Sequence, residues 1–524
     1  MTGPALDVTL AAESVAGRHD IALLPGERWW GGAVADGGLM PFGRHAHNRD
    51  LAHSAGPSDD PFAGNQSAPL LLSSHGRLVW SPHPFAFAID DTRLRLDGQD
   101  ITVARAGTSL REAYLAASAR WFPPTNRTPA RRLFSGPQYN TWIDSPYTPT
   151  QHSVTEYAHR IQALGMPPGV IMIDDSWSPA YGTWTFDQAR FPYPAAMVNR
   201  LHGAGFAVML WVVPFVSPDT AVFRELESRR MLVRTRDGDT KLQRWWNGVS
   251  AVLDLTHPDT VAWLKERLDD LRRETGVDGF KLDGGDLWAY SDDDVTHAPT
   301  TPVEHCRRWA ETGLDHPYNE LRACWGLGGA PLAQRLRDKP PTWGEDGLRS
   351  LVPELVAQGL LGHPYVCPDM IGGGEINAVT AQGFDQELFV RHAQLAATAP
   401  MMQFSALPDR VLDEEHRAAV LEATETRGEL WPLLDTLIDH AATTGEPILR
   451  PLAYHYGELT DVTDQFLLGP DLMVAPVLDA GATVRRVVVP AGDWADAEGH
   501  ITRGPAVVDV PVTLRSIPLF FRAV

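Results

Sequence analysis

Gly279-Phe280-Lys281-Leu282-Asp283-Gly284-Gly285-Asp286 reads as a buried strand that ends in an acid and turns at once through two glycines. Such a turn can hold a carboxylate at the mouth of a barrel with the backbone close to a ligand. Upstream, Ile171-Met172-Ile173-Asp174-Asp175-Ser176-Trp177 repeats the arrangement, an apolar run closing on acids. Further buried runs lie at 133–142, 207–213 and 363–367, with amphipathic stretches at 153–164, 259–275 and 347–358 between them. Strands alternating with helices in this way predict parallel βα units. Several of the strands end in Asp, Trp or Pro ahead of an irregular loop, as at the C-terminal face of a (β/α)8 TIM barrel. The fold class is therefore α/β, with the barrel placed over residues 129–443.

On either side the texture changes. Short runs such as Pro69-Leu70-Leu71-Leu72 and Phe85-Ala86-Phe87-Ala88-Ile89, broken by Gly, Pro and Asp from near residue 7 onward, predict an N-terminal β-sandwich over 1–128. A helical stretch at 110–121 and the Pro-rich segment 122–129 lead from it into the barrel. Beyond Gly445 short strands return, among them Gln465-Phe466-Leu467-Leu468 and Arg486-Val487-Val488-Val489, which predicts a small C-terminal β-sandwich over 444–524.

A chain of 524 residues exceeds what one hydrophobic core serves, in keeping with a large domain and two satellites. Its 45 Lys and Arg against 66 Asp and Glu give a formal charge of −21, which repels phosphate backbones and anionic headgroups. No nucleic acid and no membrane partner is expected; neutral small molecules suit this surface, and a homo-oligomer is compatible with it. The first residues lack a basic segment followed by an apolar run, so a cytoplasmic location is expected. Cys306, Cys324 and Cys367 are odd in number and far apart, which predicts buried free thiols. His257, His363 and His392 are scattered, none in an HxH or HExxH spacing, so no metal site is expected, and no cofactor.

The acids carry the chemistry. Taken singly, each has a plain structural reading: Asp283 anchors its turn, Asp174 and Asp175 hold a loop, and Asp346 caps the helix that follows Thr342-Trp343-Gly344-Glu345-Asp346-Gly347; Glu345 is a rival to Asp346 for any acid role. Taken together they supply what glycosidic cleavage needs, one ionised and one protonated carboxyl group, about 5–5.5 Å apart where configuration is retained. Lys281, two residues before Asp283 on the same strand face, can keep that acid ionised or pair with a structural one.

The segments Gln138-Tyr139-Asn140-Thr141-Trp142, Ile173-Asp174-Asp175, Leu210-Trp211-Val212-Val213-Pro214, Arg244-Trp245-Trp246-Asn247-Gly248, Phe280-Lys281-Leu282-Asp283, Pro368-Asp369-Met370-Ile371-Gly372-Gly373 and Met402-Gln403-Phe404-Ser405 resemble, in order, glycoside hydrolase family 31. Within the family they are most similar to the branch of the myogenesis-regulating glycosidase, an α-galactosidase. The likeness covers residues 65–522. It implies Asp283 as nucleophile and Asp346, matched to a W-x-x-D segment, as general acid/base. It also implies a substrate pocket built from Trp142, Asp174, Asp175, Trp211, Trp245, Trp246, Lys281, Asp286, Arg335, Trp343, Asp369 and Gln403. Asp286 departs from the family's usual Glu, and extra prolines between Arg335 and Trp343 loosen the register there. The expectation is a retaining, exo-acting α-glycosidase on a small carbohydrate, with α-galactoside first, α-glucoside or transglycosylation second, and a non-catalytic sugar-binding relative as the rival class.

Overall fold

The computed structural model describes residues 11–53, 65–380 and 384–523; the strand onset expected near residue 7 lies outside them. Eight parallel strands form the barrel: β1 (Gln138–Asn140), β2 (Val170–Ile173), β3 (Ala207–Val212), β4 (Gly279–Leu282), β5 (Tyr318–Leu321), β6 (Gln334–Arg335), β7 (Val366–Cys367) and β8 (Gln403–Phe404). They hydrogen-bond in the order β7-β6-β5-β4-β3-β2-β1-β8. The remaining seam is drawn together by the Met401 amide donating to the Val366 carbonyl and by a parallel bridge between Met370 and Gln403.

The period of two along each strand separates two environments. Ile171, Ile173, Val208, Leu210, Val212, Phe280 and Leu282 pack outward with the helices. Their alternates Met172, Met209 and Trp211 face the other way, into the interior. In that inner set Trp211 is in register with Lys281, and Lys281 with Glu320. Continuing the alternation one step beyond each strand gives Asp174, Asp283 and Arg322, so one periodicity delivers the charged groups to the same end of the barrel.

The expected run at 133–142 shrinks to the three residues of β1, because 132–135 form a helical turn and Gly136-Pro137 breaks the chain before the strand. β5, β6 and β8 have no counterpart among the predicted runs; they are two to four residues long and carry Asn319, Glu320, Gln334, Arg335 and Gln403. Helices Gln151–Ala163, Pro258–Thr275 and Leu348–Leu360 lie within a few residues of expectation. The first is closed by a reciprocal Thr150/Ser153 capping box. After β3, a small antiparallel sheet of Phe215–Val216, Gly248–Val252 and Leu242–Trp245 carries Trp246 and Asn247 in its hairpin turn.

The N-terminal strands form one hydrogen-bonded sheet with a strand of the barrel domain added to it: Cys324–Trp325, just past β5, pairs parallel with the strand Gln66–Ser73. The C-terminal domain is a six-stranded sheet that starts at Leu449, after the long helix Glu414–Thr444 ends on left-handed Gly445. No helix among the described residues is long and apolar enough to cross a membrane. The three cysteines are buried and free.

Gly285 shows how tightly the turn after Asp283 is made: its φ is +69°, and a Cβ there would sit 2.2 Å from the indole of Trp309. Gly285→Ala should therefore destabilise the fold by about 2 kcal/mol or more, from overpacking and a left-handed backbone combined. Denaturant unfolding of the purified variant checks this, and an unchanged midpoint would remove the steric account of the turn.

Candidate active site

At the C-terminal ends of the strands lies a cavity of about 570 Å³. Asp174, Asp175, Lys281, Asp283, Trp211 and Trp142 line it, together with Arg322, Asp338, Trp246, Tyr147 and Asn65. The volume is in the range of pockets that enclose one small ligand. Gly374, Glu375, Ile376 and Asn377 complete the rim, and the Trp142 indole N–H donates to the Gly374 carbonyl at 2.9 Å.

Asp283 is the best-held acid. Its carboxylate accepts from the Trp211 indole N–H at 2.8 Å and from the Gly284 amide at 2.9 Å, and it meets the Arg322 guanidinium at 3.1 Å. Burial alone would raise its pKa, but the charges of Arg322, Lys281 and Arg335 and the Trp211 hydrogen bond outweigh that and hold it well below the usual carboxylate range. Lys281 bonds directly to Asp174 at 2.7 Å and acts on Asp283 through its charge, so both readings of this lysine hold at once.

Asp175 is in the opposite state. Burial first, and the neighbouring Asp174 second, push its pKa up to about 7, although Tyr181 donates to it at 3.3 Å and Asn247 donates to it as well. The adjacent acids thus differ in role: Asp174 is the partner of a lysine, and Asp175 is a carboxyl that gains and loses its proton near neutrality.

The acid expected opposite Asp283 lies elsewhere than the sequence reading placed it. Asp346 is exposed, lies outside the cavity and accepts a hydrogen bond from the Thr342 hydroxyl at 2.7 Å. Its neighbour Glu345 is exposed too. The carboxyl group in the wall is Asp338, three residues beyond the end of β6, bonded to Arg335 at 2.6 Å and with 37% of its side chain open. The prolines at 340 and 341 lie between Asp338 and Trp343, and the W-x-x-D match fell on an acid of this loop that does not line the cavity.

Six other expected pocket residues stand behind the wall. Trp245 stacks at 13° on Trp211 and bonds Ser250. Asp286 is buried and pairs with Arg322 at 2.6 Å, an arrangement that a shorter carboxylate in place of Glu still reaches. Arg335, 1% exposed, binds Asp338 and Asp369 at 2.6 Å each and lies 3.5 Å from Glu320. Asp369 spends its other oxygen on the Lys339 amide. Gln403 donates to Glu320 at 2.7 Å within the barrel. Trp343 bonds Asp385 and does not reach the cavity. These groups support the lining and cannot contact a ligand directly.

Arg322, Asp338, Tyr147 and Asn65 went unread. Arg322 continues the inward alternation of Glu320, a signal hidden because β5 is too polar to read as a buried strand. Its guanidinium also lies 4.7 Å from the centre of the Trp246 ring, a cation–π contact at the cavity edge. Asn65 comes from the N-terminal domain, and neither polar atom of its carboxamide has a partner among the described residues. Among those residues the one cluster of metal-type side chains is Asp496, Glu498 and His500, in a hairpin of the C-terminal sheet and outside the cavity.

Fold and cavity define a class: a (β/α)8 barrel flanked by two β domains, with an acidic pocket at its strand ends. Residues 136–311 match the TIM-barrel domain of glycosyl hydrolases family 31, residues 445–523 match that family's C-terminal domain, and the chain belongs to this family. It is 36% identical over 421 residues to the myogenesis-regulating glycosidase of Mus musculus, covering 76% of this chain and 58% of that protein. It is 27% identical over 403 residues to neutral alpha-glucosidase AB of Homo sapiens, covering 68% and 41%. The chain thus spans 41–58% of the length of these two relatives. The fold is shared with a Flavobacterium johnsoniae GH31 dextranase complexed with glucose, at a TM-score of 0.83, 20% identity, and coverage of 96% of this chain and 66% of that one.

Asp175 sets a pH dependence with a definite sign. Its folded pKa of about 7 lies above that of an unfolded Asp, so the neutral form is favoured by folding and stability is lost as pH rises toward and through 7. Asp175→Asn removes the ionisation, so its melting temperature relative to wild type should rise between pH 5 and pH 8, by the equivalent of about 2 kcal/mol. A difference that stays flat over that interval contradicts the assignment.

Proposed function

We propose that the chain is a retaining, exo-acting α-glycosidase that hydrolyses a terminal α-linked sugar, with Asp283 as nucleophile and Asp338 as general acid/base. The observation that carries this reading is one cavity holding an acid kept ionised by two arginines and a lysine, and a second, half-open acid in its wall. Ionised Asp283 attacks the anomeric carbon as Asp338 gives its proton to the leaving oxygen. A covalent glycosyl-enzyme forms, and Asp338 then takes a proton from the water that releases the sugar. Esterification removes the negative charge of Asp283 midway, which lowers the affinity of Asp338 for a proton when it must act as a base.

Action on a chain end is part of the proposal, supported by a single cavity of about 570 Å³ at the strand ends. Asp174, Asp175 and the free carboxamide of Asn65 offer hydrogen bonds to hydroxyl groups, while Trp142 and Trp246 offer ring faces. We assign α-galactoside as substrate on the likeness to the myogenesis-regulating glycosidase. Hydrolysis of α-glucoside is the second reading, favoured by the alpha-glucosidase and 1,3-alpha-isomaltosidase among the relatives. Transfer to an acceptor sugar is a variant of either, and a cytoplasmic location stays part of the proposal.

A panel of nitrophenyl α-glycosides decides between the sugars: release from the galactoside with none from the glucoside is expected, and the reverse pattern reassigns the substrate. Asp283→Asn should lose about 10³-fold or more in kcat, as a missing nucleophile does. Asp338→Ala should be deficient on alkyl or sugar leaving groups by about 10²-fold or more, and far less so on nitrophenol, which needs little protonation. Asp346→Ala should stay within about twofold of wild type; a loss as large as that of Asp338→Ala would return the acid role to Asp346.

A further inference from the structure

The search for residues that shape the cavity from outside it leads to the N-terminal domain. Gln66, on the strand Gln66–Ser73, is 3% exposed and reaches across into the barrel. Its amide nitrogen donates to the backbone carbonyl of Arg322 at 3.0 Å and to that of Arg335 at 2.7 Å. Both facing atoms are carbonyl oxygens, so only the NH2 group of the side chain can meet them, and the orientation of the amide is fixed. Its oxygen accepts from the side chain of Gln358, on helix Leu348–Leu360. The backbone of the same residue continues the clamp, since Gln66 pairs with Cys324 and the Cys324 amide donates to the Asn65 carbonyl at 2.7 Å.

The two residues held by this one amide are the two whose guanidinium groups fix the reacting acids. Arg322 meets Asp283 at 3.1 Å, and Arg335 binds Asp338 at 2.6 Å. β5 and β6, which present the two arginines, share one strand pairing, Leu321 with Gln334, beside which the Leu321 amide donates to the Ala333 carbonyl and the Asn319 side chain accepts from the Ala333 amide. None of these bonds reaches the carbonyls of Arg322 and Arg335, which, among the described residues, the Gln66 amide alone joins to each other.

We infer that Gln66 is a positioning residue of the active site, through which the N-terminal domain sets the separation of Arg322 and Arg335 and so of Asp283 and Asp338. This rests on the glycosidase reading above. It makes the N-terminal sheet a working part of the site, and it gives the buried amide a role in the rate of nucleophilic attack in addition to its contribution to folding. Misplacement of a reacting group by a fraction of an ångström lowers rate while leaving substrate binding largely intact.

The test uses the full chain and 5-fluoro-α-galactosyl fluoride, which traps the glycosyl-enzyme on the nucleophile. Gln66→Leu keeps most of the volume and removes both donors. The labelling rate should fall about tenfold, with kcat on nitrophenyl α-galactoside falling in step and KM moving less than about twofold. The fraction of sites finally labelled should equal that of wild type. A residue that only supports folding gives the other pattern, fewer labelled sites at the wild-type rate, and that result overturns the proposal. If Gln66→Leu does not fold, Gln66→Asn, which keeps the amide but is too short to span both carbonyls, is read in the same way. If the wild type is neither labelled nor active on any α-glycoside, the glycosidase reading falls and this inference with it. If the wild type is labelled on Asp283 and the variant labels equally fast, this inference alone falls.

Discussion

The structure depends on a shortage of positive charge inside the barrel. Asp174, Asp283, Asp286, Glu320, Asp338 and Asp369 gather around three cations, Lys281, Arg322 and Arg335. Burying ions costs several kcal/mol each unless they are paired, and here there are not enough partners for all of them. The shortage is resolved unevenly. Burial raises the pKa of Asp286 and Glu320 despite their arginines, whereas Asp283, which has Arg322, Lys281 and Arg335 acting on it together, is pulled down. An acid held ionised at the centre of an acidic pocket is thus a result of placement, because the cations around Asp283 outweigh its burial, as those near Asp286 and Glu320 do not.

The same economy explains why so many polar groups lie behind the cavity instead of in it. Arg335 spends its donors on Asp338, Asp369 and the Leu336 carbonyl, and Asp369 in turn anchors the Lys339 amide. The loop that carries Asp338 is therefore tied at both ends to a buried ion pair. That allows the side chain to stay partly open to solvent, where it can exchange protons, while its backbone stays fixed. Lys339, next along, is buried against Glu354 at 2.6 Å and pins the following turn to the helix Leu348–Leu360.

Much of this was legible in the sequence where strands were long and apolar. The runs at 170–173, 207–212 and 279–282 announced both the barrel and the acids at their ends, since short, mainly apolar runs that recur between amphipathic helices read as buried parallel strands. β5, β6 and β8 stayed hidden because their inward positions are Glu320, Arg335 and Gln403, which pair with one another in the interior and look like loop residues when read singly. The match fell on Asp346 and passed over Asp338, which lines the cavity, for a related reason. Pattern matching fixes on Trp343 and its glycines, whereas the decisive fact is which acid sits three residues from a buried arginine, and that is a statement about three-dimensional placement. Likewise nothing local distinguishes Gln66 from any other glutamine near a strand start; its partners are 256 and 269 residues away in the chain.

That separation has a consequence for how the molecule is made. As the polypeptide leaves the ribosome, the N-terminal sheet emerges first, but the short parallel pairing at Gln66 and Ser67 forms only when Cys324–Trp325 arrives, almost half the chain later. Until then the start of that strand lacks this partner, although the rest of it is already paired with Trp29–Ala33 and Arg77–Trp80. The seam between the N-terminal sheet and the barrel is therefore closed late, by a segment that has to be translated before the two domains can be stitched together.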